Sequence, residues 1–213
     1  MLLLALLVSV TPVPARLKVL CLHGYGQAGA VLRDRSGGFR KPLKKSRFEM
    51  TYPDGPYGCT AAGEDEAEAE ADAARRAWWR GNSGQYDGWS ETRASLKALW
   101  EREQYDGILG FSQGAAAAAM LCAELRPRFG IFVSGFVPRD EVAAAELYAG
   151  VGDDVATLHV YGESDELVVA ERSRALVDLF ADATVAEHPG GHMIPSGPLV
   201  RESVVEFLER LEL

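Results

Sequence analysis

The sequence predicts an α/β fold, with a mainly parallel sheet covered by helices on both faces. Two observations carry this. Short apolar runs of strand type alternate along the chain with longer helix-forming runs. Between one such strand and one such helix stand Gly110-Phe111-Ser112-Gln113-Gly114, which read G-x-S-x-G. In that context the motif is a nucleophile elbow, and the class narrows to an α/β-hydrolase. The turn is sharp enough to strain the serine backbone. Glycine on each side keeps neighbouring side chains away. The hydroxyl is then presented at the carboxyl edge of the sheet, at the positive end of the following helix.

The chain has 213 residues, enough for one domain with a sizeable core. Net charge is −9 with 25% charged residues. That balance argues against nucleic acid or an anionic membrane as the main partner, because both attract basic patches. Three cysteines, Cys21, Cys59 and Cys122, are an odd number without metal-ligand spacing. Cys21 and Cys122 fall in apolar segments and read as buried thiols. Leu2 to Val10 form an apolar run followed by Thr11-Pro12-Val13-Pro14-Ala15. No basic stretch precedes the run, and it is too short to span a bilayer, so no stable membrane insertion is expected. Residues 1–15 read as an apolar extension, packed on the domain or disordered, and the chain as cytoplasmic. The alternative is a cleaved targeting segment on a secreted or organellar protein. Residues 16–213 read as one hydrolase domain.

In order, Leu17 to Leu22 is a buried strand that runs into His23-Gly24-Tyr25-Gly26-Gln27. A strand ending in His-Gly suits an oxyanion loop, since glycine lets the backbone turn an amide toward a carbonyl. His23 stands too early in the chain for the base and reads as a loop-shaping residue. Ser36 to Lys45 is basic and mixed, a solvated helix face with its entry turn. Phe48 to Tyr52 alternates as a second strand, and Pro53-Asp54-Gly55-Pro56 is a turn. Ala61 to Arg76 is nearly all Ala, Glu and Asp, a solvated acidic stretch. It leads to Trp78-Trp79. Adjacent tryptophans cannot share one face of a helix or strand, so at least one lines a cleft or covers the core. Residues 56–89 are read as a lid or rim.

A helix follows from Ser90-Glu91 to about Gln104, burying Leu96, Leu99 and Trp100. Next come the strand ending at Leu109, the elbow, and a helix from Ala115 to Leu125 whose small residues permit close approach to the sheet. Gly130 to Phe136 is a buried strand, with Ser134 structural because it lacks an elbow. Asp140 caps a short helix through Leu147. Thr157 to Gly162 is a strand, Glu171 to Phe180 a helix, Thr184 to Glu187 the last strand, and Pro198 to Leu211 the closing helix.

A serine hydroxyl needs a base within hydrogen-bond reach, and that base needs an orienting carboxylate. On this fold the chain order is serine, acid, histidine, the acid after a late strand and the histidine after the last. Asp165 and His192 have those positions. Glu163 and Glu166 compete with Asp165. His188, four residues before His192, reads as a turn residue, and His159, inside a strand, as a core histidine. The oxyanion donors are expected to be the backbone amides of Gln113 and of the Gly24-Tyr25 turn.

Several segments occur together in one order: Leu22-His23-Gly24-Tyr25-Gly26-Gln27, Ser36-Gly37-Gly38-Phe39-Arg40-Lys41, Ala77-Trp78-Trp79, Tyr105 to Ala115, Tyr161-Gly162-Glu163-Ser164-Asp165, and His188-Pro189-Gly190-Gly191-His192-Met193-Ile194-Pro195. From about Leu17 onward the chain resembles the fungal-type serine hydrolase family (FSH). The resemblance implies an α/β-hydrolase fold and hydrolysis of small-molecule acyl esters or thioesters without metal or cofactor. It also implies a Ser-Asp-His triad, which falls on Ser112, Asp165 and His192. The apolar N-terminus and the Ala/Glu-rich insert depart from the family pattern, and the insert bears on substrate choice. The alternatives are a non-catalytic ligand-binding protein on the same fold, or a lipase.

Overall fold

A computed structural model of the chain describes residues 16–40, 47–59, 75–81, 84–151 and 154–212. The apolar extension and most of the Ala/Glu-rich stretch lie outside the described residues. So does the second half of the basic segment Ser36 to Lys45.

Six strands form one parallel sheet: β1 (Leu17–Leu22), β2 (Phe48–Thr51), β5 (Gly107–Phe111), β6 (Phe129–Val133), β7 (Ala156–Gly162) and β8 (Ala183–His188), in the order β2-β1-β5-β6-β7-β8. The central strands β5, β6 and β7 are buried at every residue, as strands covered on both faces must be. The chain leaves β1 for the edge at β2, then returns to the other side of β1 to form β5. The strand order therefore reverses between β1 and β5, the place where open α/β sheets bind ligands at their carboxyl ends. Leu22 pairs with Gly110 there, so His23-Gly24 and Ser112 emerge side by side.

Two apolar layers cover the sheet. On one face lie α3 (Trp89–Glu103), α4 (Gln113–Leu125), α5 (Glu141–Gly150) and α6 (Ala170–Val177), packed with Trp78 and Trp79. On the other lie α1 (Gly29–Arg35), through Leu32, and α7 (Pro198–Arg210), through Val200, Val204, Phe207 and Leu208. A short turn of helix, α2 (Gly37–Arg40), follows α1. Eleven residues of α4, Gln113 to Ala123, are buried. The alanines have no bulk to hold the helix off, which is why it can run beneath α3 and α5 and against three strands at once. Arg93 of α3 pairs with Glu124 of α4 at 2.8 Å and with Glu146 of α5 at 2.9 Å, on the outer side of this layer.

Some boundaries differ from the sequence reading. Helix α4 begins at Gln113 because the Ser112 carbonyl already accepts from the amides of Ala115 and Ala116, at 2.9 and 3.1 Å. Strand β6 stops at Val133, because Ser134 turns the chain with φ of 48°. Helix α6 ends at Val177 in a turn closed by the Phe180 amide on the Val177 carbonyl. The Asp140 side chain does cap α5, accepting from the Ala143 amide at 2.9 Å, and the helix continues to Gly150. The sequence reading placed no helix at Gly29–Arg35. It also placed no ribbon where β3 (Tyr57–Gly58) pairs antiparallel with β4 (Arg76–Ala77). Two-residue strands carry too little periodicity to be seen. The ribbon delivers Trp78 and Trp79 to the core.

Candidate active site

Ser112 sits at φ 54°, ψ −118°, a strained backbone for a side-chain-bearing residue. Its amide donates to the Val133 carbonyl at 2.9 Å and its carbonyl opens helix α4. The flanking glycines answer to close packing. A Cβ on Gly110 would stand 2.2 Å from the Gly114 carbonyl oxygen, and one on Gly114 2.2 Å from that of Leu22. The elbow is thus clamped between β1 and its own helix, with the serine directed away from the sheet edge.

His192 Nε2 lies 3.0 Å from Ser112 Oγ, and His192 Nδ1 lies 2.8 Å from Asp165 Oδ2. With the carboxylate as an acceptor, Nδ1 carries the proton and Nε2 is left to accept from the hydroxyl. Asp165 is buried, and its other oxygen accepts from the amides of Leu167 and Val168 at 3.0 and 2.8 Å. Burial alone would raise this carboxyl, but the Val168 amide and the His192 imidazole outweigh it and hold its pKa below the ordinary value. The Phe111 ring packs 4.9 Å from the imidazole.

The loops bearing Asp165 and His192 are tied to each other. The Glu163 amide donates to the His188 carbonyl at 2.8 Å, the Ser164 amide to the Gly190 carbonyl at 3.2 Å, and the Ser164 hydroxyl to the Pro189 carbonyl at 3.0 Å. A Cβ on Gly162 would meet the Gly190 carbonyl at 2.1 Å, so this approach needs glycine.

The competing residues lie elsewhere. Glu163 and Glu166 are exposed. His188 is buried, and its Nδ1 accepts from the Gly190 amide at 3.2 Å. His159 meets the Thr157 hydroxyl at 3.0 Å inside the sheet, and burial pushes its pKa down to about 3. Ser134 is buried at the end of β6, its amide bound to the Val160 carbonyl. His23 shapes its loop. Nδ1–H donates to the Gly24 carbonyl, Nε2 accepts from the Gly55 amide, both at 2.8 Å, and its carbonyl accepts from Trp78 Nε1 at 2.7 Å.

The turn Gly24-Tyr25 lies against the elbow: a Cβ on Gly24 would stand 2.9 Å from the Phe111 ring and 3.4 Å from Ser112 Cβ. Gly24, Tyr25 and Gln113 all border a cavity of about 380 Å³ that opens over Ser112 and His192. Both tryptophans of the pair are buried. Trp79 reaches the cavity, stacked on Tyr86 at 4.3 Å and edge-on to Trp89 at 5.5 Å. Sequence reasoning missed the rest of the wall, which includes Tyr86, Phe136, Arg139 and Arg172. They come from three separate segments, with only Phe136 and Arg139 in the same loop, and no local spacing marks them. It also missed the Gln113 side chain, which fastens the tryptophan pair. Among the described residues no His/Cys/Asp/Glu group suits a metal ion, and no helix is long and apolar enough to cross a membrane.

The fold is shared with solved α/β-hydrolases. Arabidopsis thaliana SOBER1 superposes with a TM-score of 0.67 at 19% identity, over 93% of this chain and 100% of that one. Zea mays acyl-protein thioesterase 2 gives 0.65 at 18%, over 92% and 94%. By sequence, a Danio rerio esterase OVCA2 is 34% identical over 92% of this chain and 98% of its own. Its Homo sapiens counterpart is 32% identical over 91% and 96%. An Aedes aegypti esterase is 33% identical over 95% and 81%. The profile of the family described as Serine hydrolase (FSH1) matches residues 13–204. The chain is thus an enzyme of esterase type and belongs to the FSH1 serine hydrolase family.

Proposed function

We propose that the protein hydrolyses small acyl esters or thioesters through an acyl-enzyme, with Ser112 as nucleophile, His192 as general base and acid, and Asp165 as its orienting carboxylate. One observation carries this reading: the unbroken hydrogen-bonded line from Asp165 through His192 to Ser112 at the mouth of a cavity. Ser112 Oγ attacks the carbonyl carbon as its proton passes to His192 Nε2. The carbonyl oxygen becomes an oxyanion, which the amides of Gln113 and of the Gly24-Tyr25 turn would receive, each contributing about 3 kcal/mol. The positive end of α4 favours the same charge. The imidazolium then protonates the departing alcohol or thiol. Water attacks the acyl-serine, giving its proton to His192, and the acid leaves with Ser112 restored. Asp165 keeps the imidazole in the Nδ1–H tautomer and stabilises its cation.

Thioesters are included because one structural neighbour is an acyl-protein thioesterase. Residues 16–213 act as one hydrolase domain in this reading, and of the segment 56–89 the described Trp79 and Tyr86 border the site, as a rim would. The test is labelling by a fluorophosphonate together with turnover of an aryl ester. Wild type takes the label at Ser112 and turns over, while Ser112→Ala does neither and keeps its circular dichroism. Aryl ester turnover undiminished in Ser112→Ala would sink the assignment.

A further inference from the structure

The chain carries a net charge of −9, yet among the described residues no carboxylate borders the cavity over Ser112. Apart from His192, its ionisable wall consists of Arg139, Arg172, Tyr25 and Tyr86. Arg139 follows β6 and precedes the capping Asp140. Arg172 lies in the first turn of α6, half-buried, with its guanidinium 4.3 Å above the Phe136 ring.

Among the described residues neither arginine forms an ion pair. The nearby carboxylates are engaged elsewhere. Asp140 accepts from the amides of Ala143 and Tyr86, both at 2.9 Å. Asp165 accepts from Leu167, Val168 and His192. Burial first, and then the like charge of Arg139, oppose the charge on Arg172 and outweigh the support of Tyr86 and the Asp165 carboxylate, so its pKa falls below the ordinary arginine value. A cation held against its neighbour's charge, and in no ion pair among the described residues, gains most from an anion entering the cleft. Stacking on Phe136 holds the guanidinium in place and reduces the side-chain entropy lost when it binds.

We infer that Arg139 and Arg172 form an anion-binding subsite in the Ser112 cleft, so that the preferred ester or thioester carries a carboxylate or phosphate group beside the scissile carbonyl. This rests on the hydrolase reading of Ser112 and names the substrate class for it. The anion sits either on the acyl chain or on the leaving group.

Three thioesters separate these sources: hexanoyl-N-acetylcysteamine, which is neutral; adipyl-N-acetylcysteamine, with a carboxylate on the acyl side; and hexanoyl-thioglycolate, with a carboxylate on the leaving side. The wild type is expected to favour at least one anionic substrate by roughly tenfold in kcat/KM over the neutral one, the scale of one charge-assisted contact. In the double variant Arg139→Met/Arg172→Met that ratio collapses toward unity, while Arg172→Lys keeps most of it. In the wild type the ratio shrinks as salt is raised, a readout that needs no variant to fold. Equal use of all three substrates by the wild type would overturn the subsite, as would a preference that survives in the double variant. So would a loss in that variant that is proportionate across the three. Turnover of the neutral thioester without discrimination sinks only the subsite. Absence of turnover on all three, with no label on Ser112, sinks the hydrolase reading as well.

Discussion

The side chain of Gln113 holds the backbone of Trp78: Oε1 accepts from the Trp78 amide at 2.9 Å, and Nε2 donates to the neighbouring Trp79 carbonyl at 3.1 Å. Gln113 is buried, and it follows the nucleophile directly in the chain. The residue whose amide is proposed to receive the oxyanion therefore also fixes part of the wall of the same cavity.

Replacing Gln113 with Ala leaves two buried backbone groups unpaired. Each unpaired group costs about 1–3 kcal/mol. Gln113→Ala is expected to lower the urea midpoint clearly and to reduce kcat as well, since Trp79 would no longer be held against Tyr86. A variant as stable as wild type would show that the Trp78-Trp79 segment is secured by its apolar packing alone.

The strained backbone at Ser112 predicts a difference between two inactive variants. Ser112→Ala keeps a Cβ at φ 54°, ψ −118°, whereas glycine adopts that conformation freely. Strain of this kind costs on the order of 1–3 kcal/mol, partly offset by the greater freedom of glycine in the unfolded chain. Ser112→Gly is therefore expected to melt above Ser112→Ala by about 2–4 °C, the shift that about 1 kcal/mol produces at this chain length. Scanning calorimetry on the two proteins decides it.

Asp165→Asn removes the acceptor that holds the Nδ1–H tautomer of His192. In the proposed mechanism kcat falls by roughly 10⁴, while the Leu167 and Val168 amides still find an oxygen and the fold is kept. A fall of less than tenfold would mean that some other group orients the imidazole.

Acid should destabilise the protein through His159. Unfolded, this residue takes up a proton as pH falls through its ordinary value of 6.5, but in the folded core it stays neutral until about 3. The unfolded state binds more protons in that interval, so stability is full above 6.5 and declines below it, by at most about 1.4 kcal/mol per pH unit from this group. Burial lowers His23 and His188 in the same direction. Urea midpoints between pH 7 and 5, above the range where carboxylates titrate, should fall with acid, and more gently in His159→Leu. Equal slopes in the two proteins would contradict a neutral His159.

The alternation of strand and helix was legible because burial on both faces writes continuous apolar runs such as Gly107–Phe111 and Phe129–Val133 into adjacent residues. The elbow was legible for a similar reason: glycine, serine and glycine must be neighbours for a strand to turn into a helix so tightly. The order of serine, aspartate and histidine could likewise be read along the chain. The ribbon β3–β4 was not legible, because two-residue strands have no period to detect.

The sequence by itself determined the layered fold and the position of Ser112 within it, because both depend on residues next to one another. It favoured Asp165 over Glu163 and Glu166 as the acid, and His192 over His188 as the base, from their places along the chain. Only the tertiary structure brought that pair to the serine, because the Asp165–His192 contact spans 27 residues and the His192–Ser112 contact 80. The directions in which those loops leave β7 and β8 are set by hydrogen bonds between the loops themselves. The arginines of the cleft belong to the same category: Arg139 and Arg172 come from separate segments, and folding alone brings them to one wall.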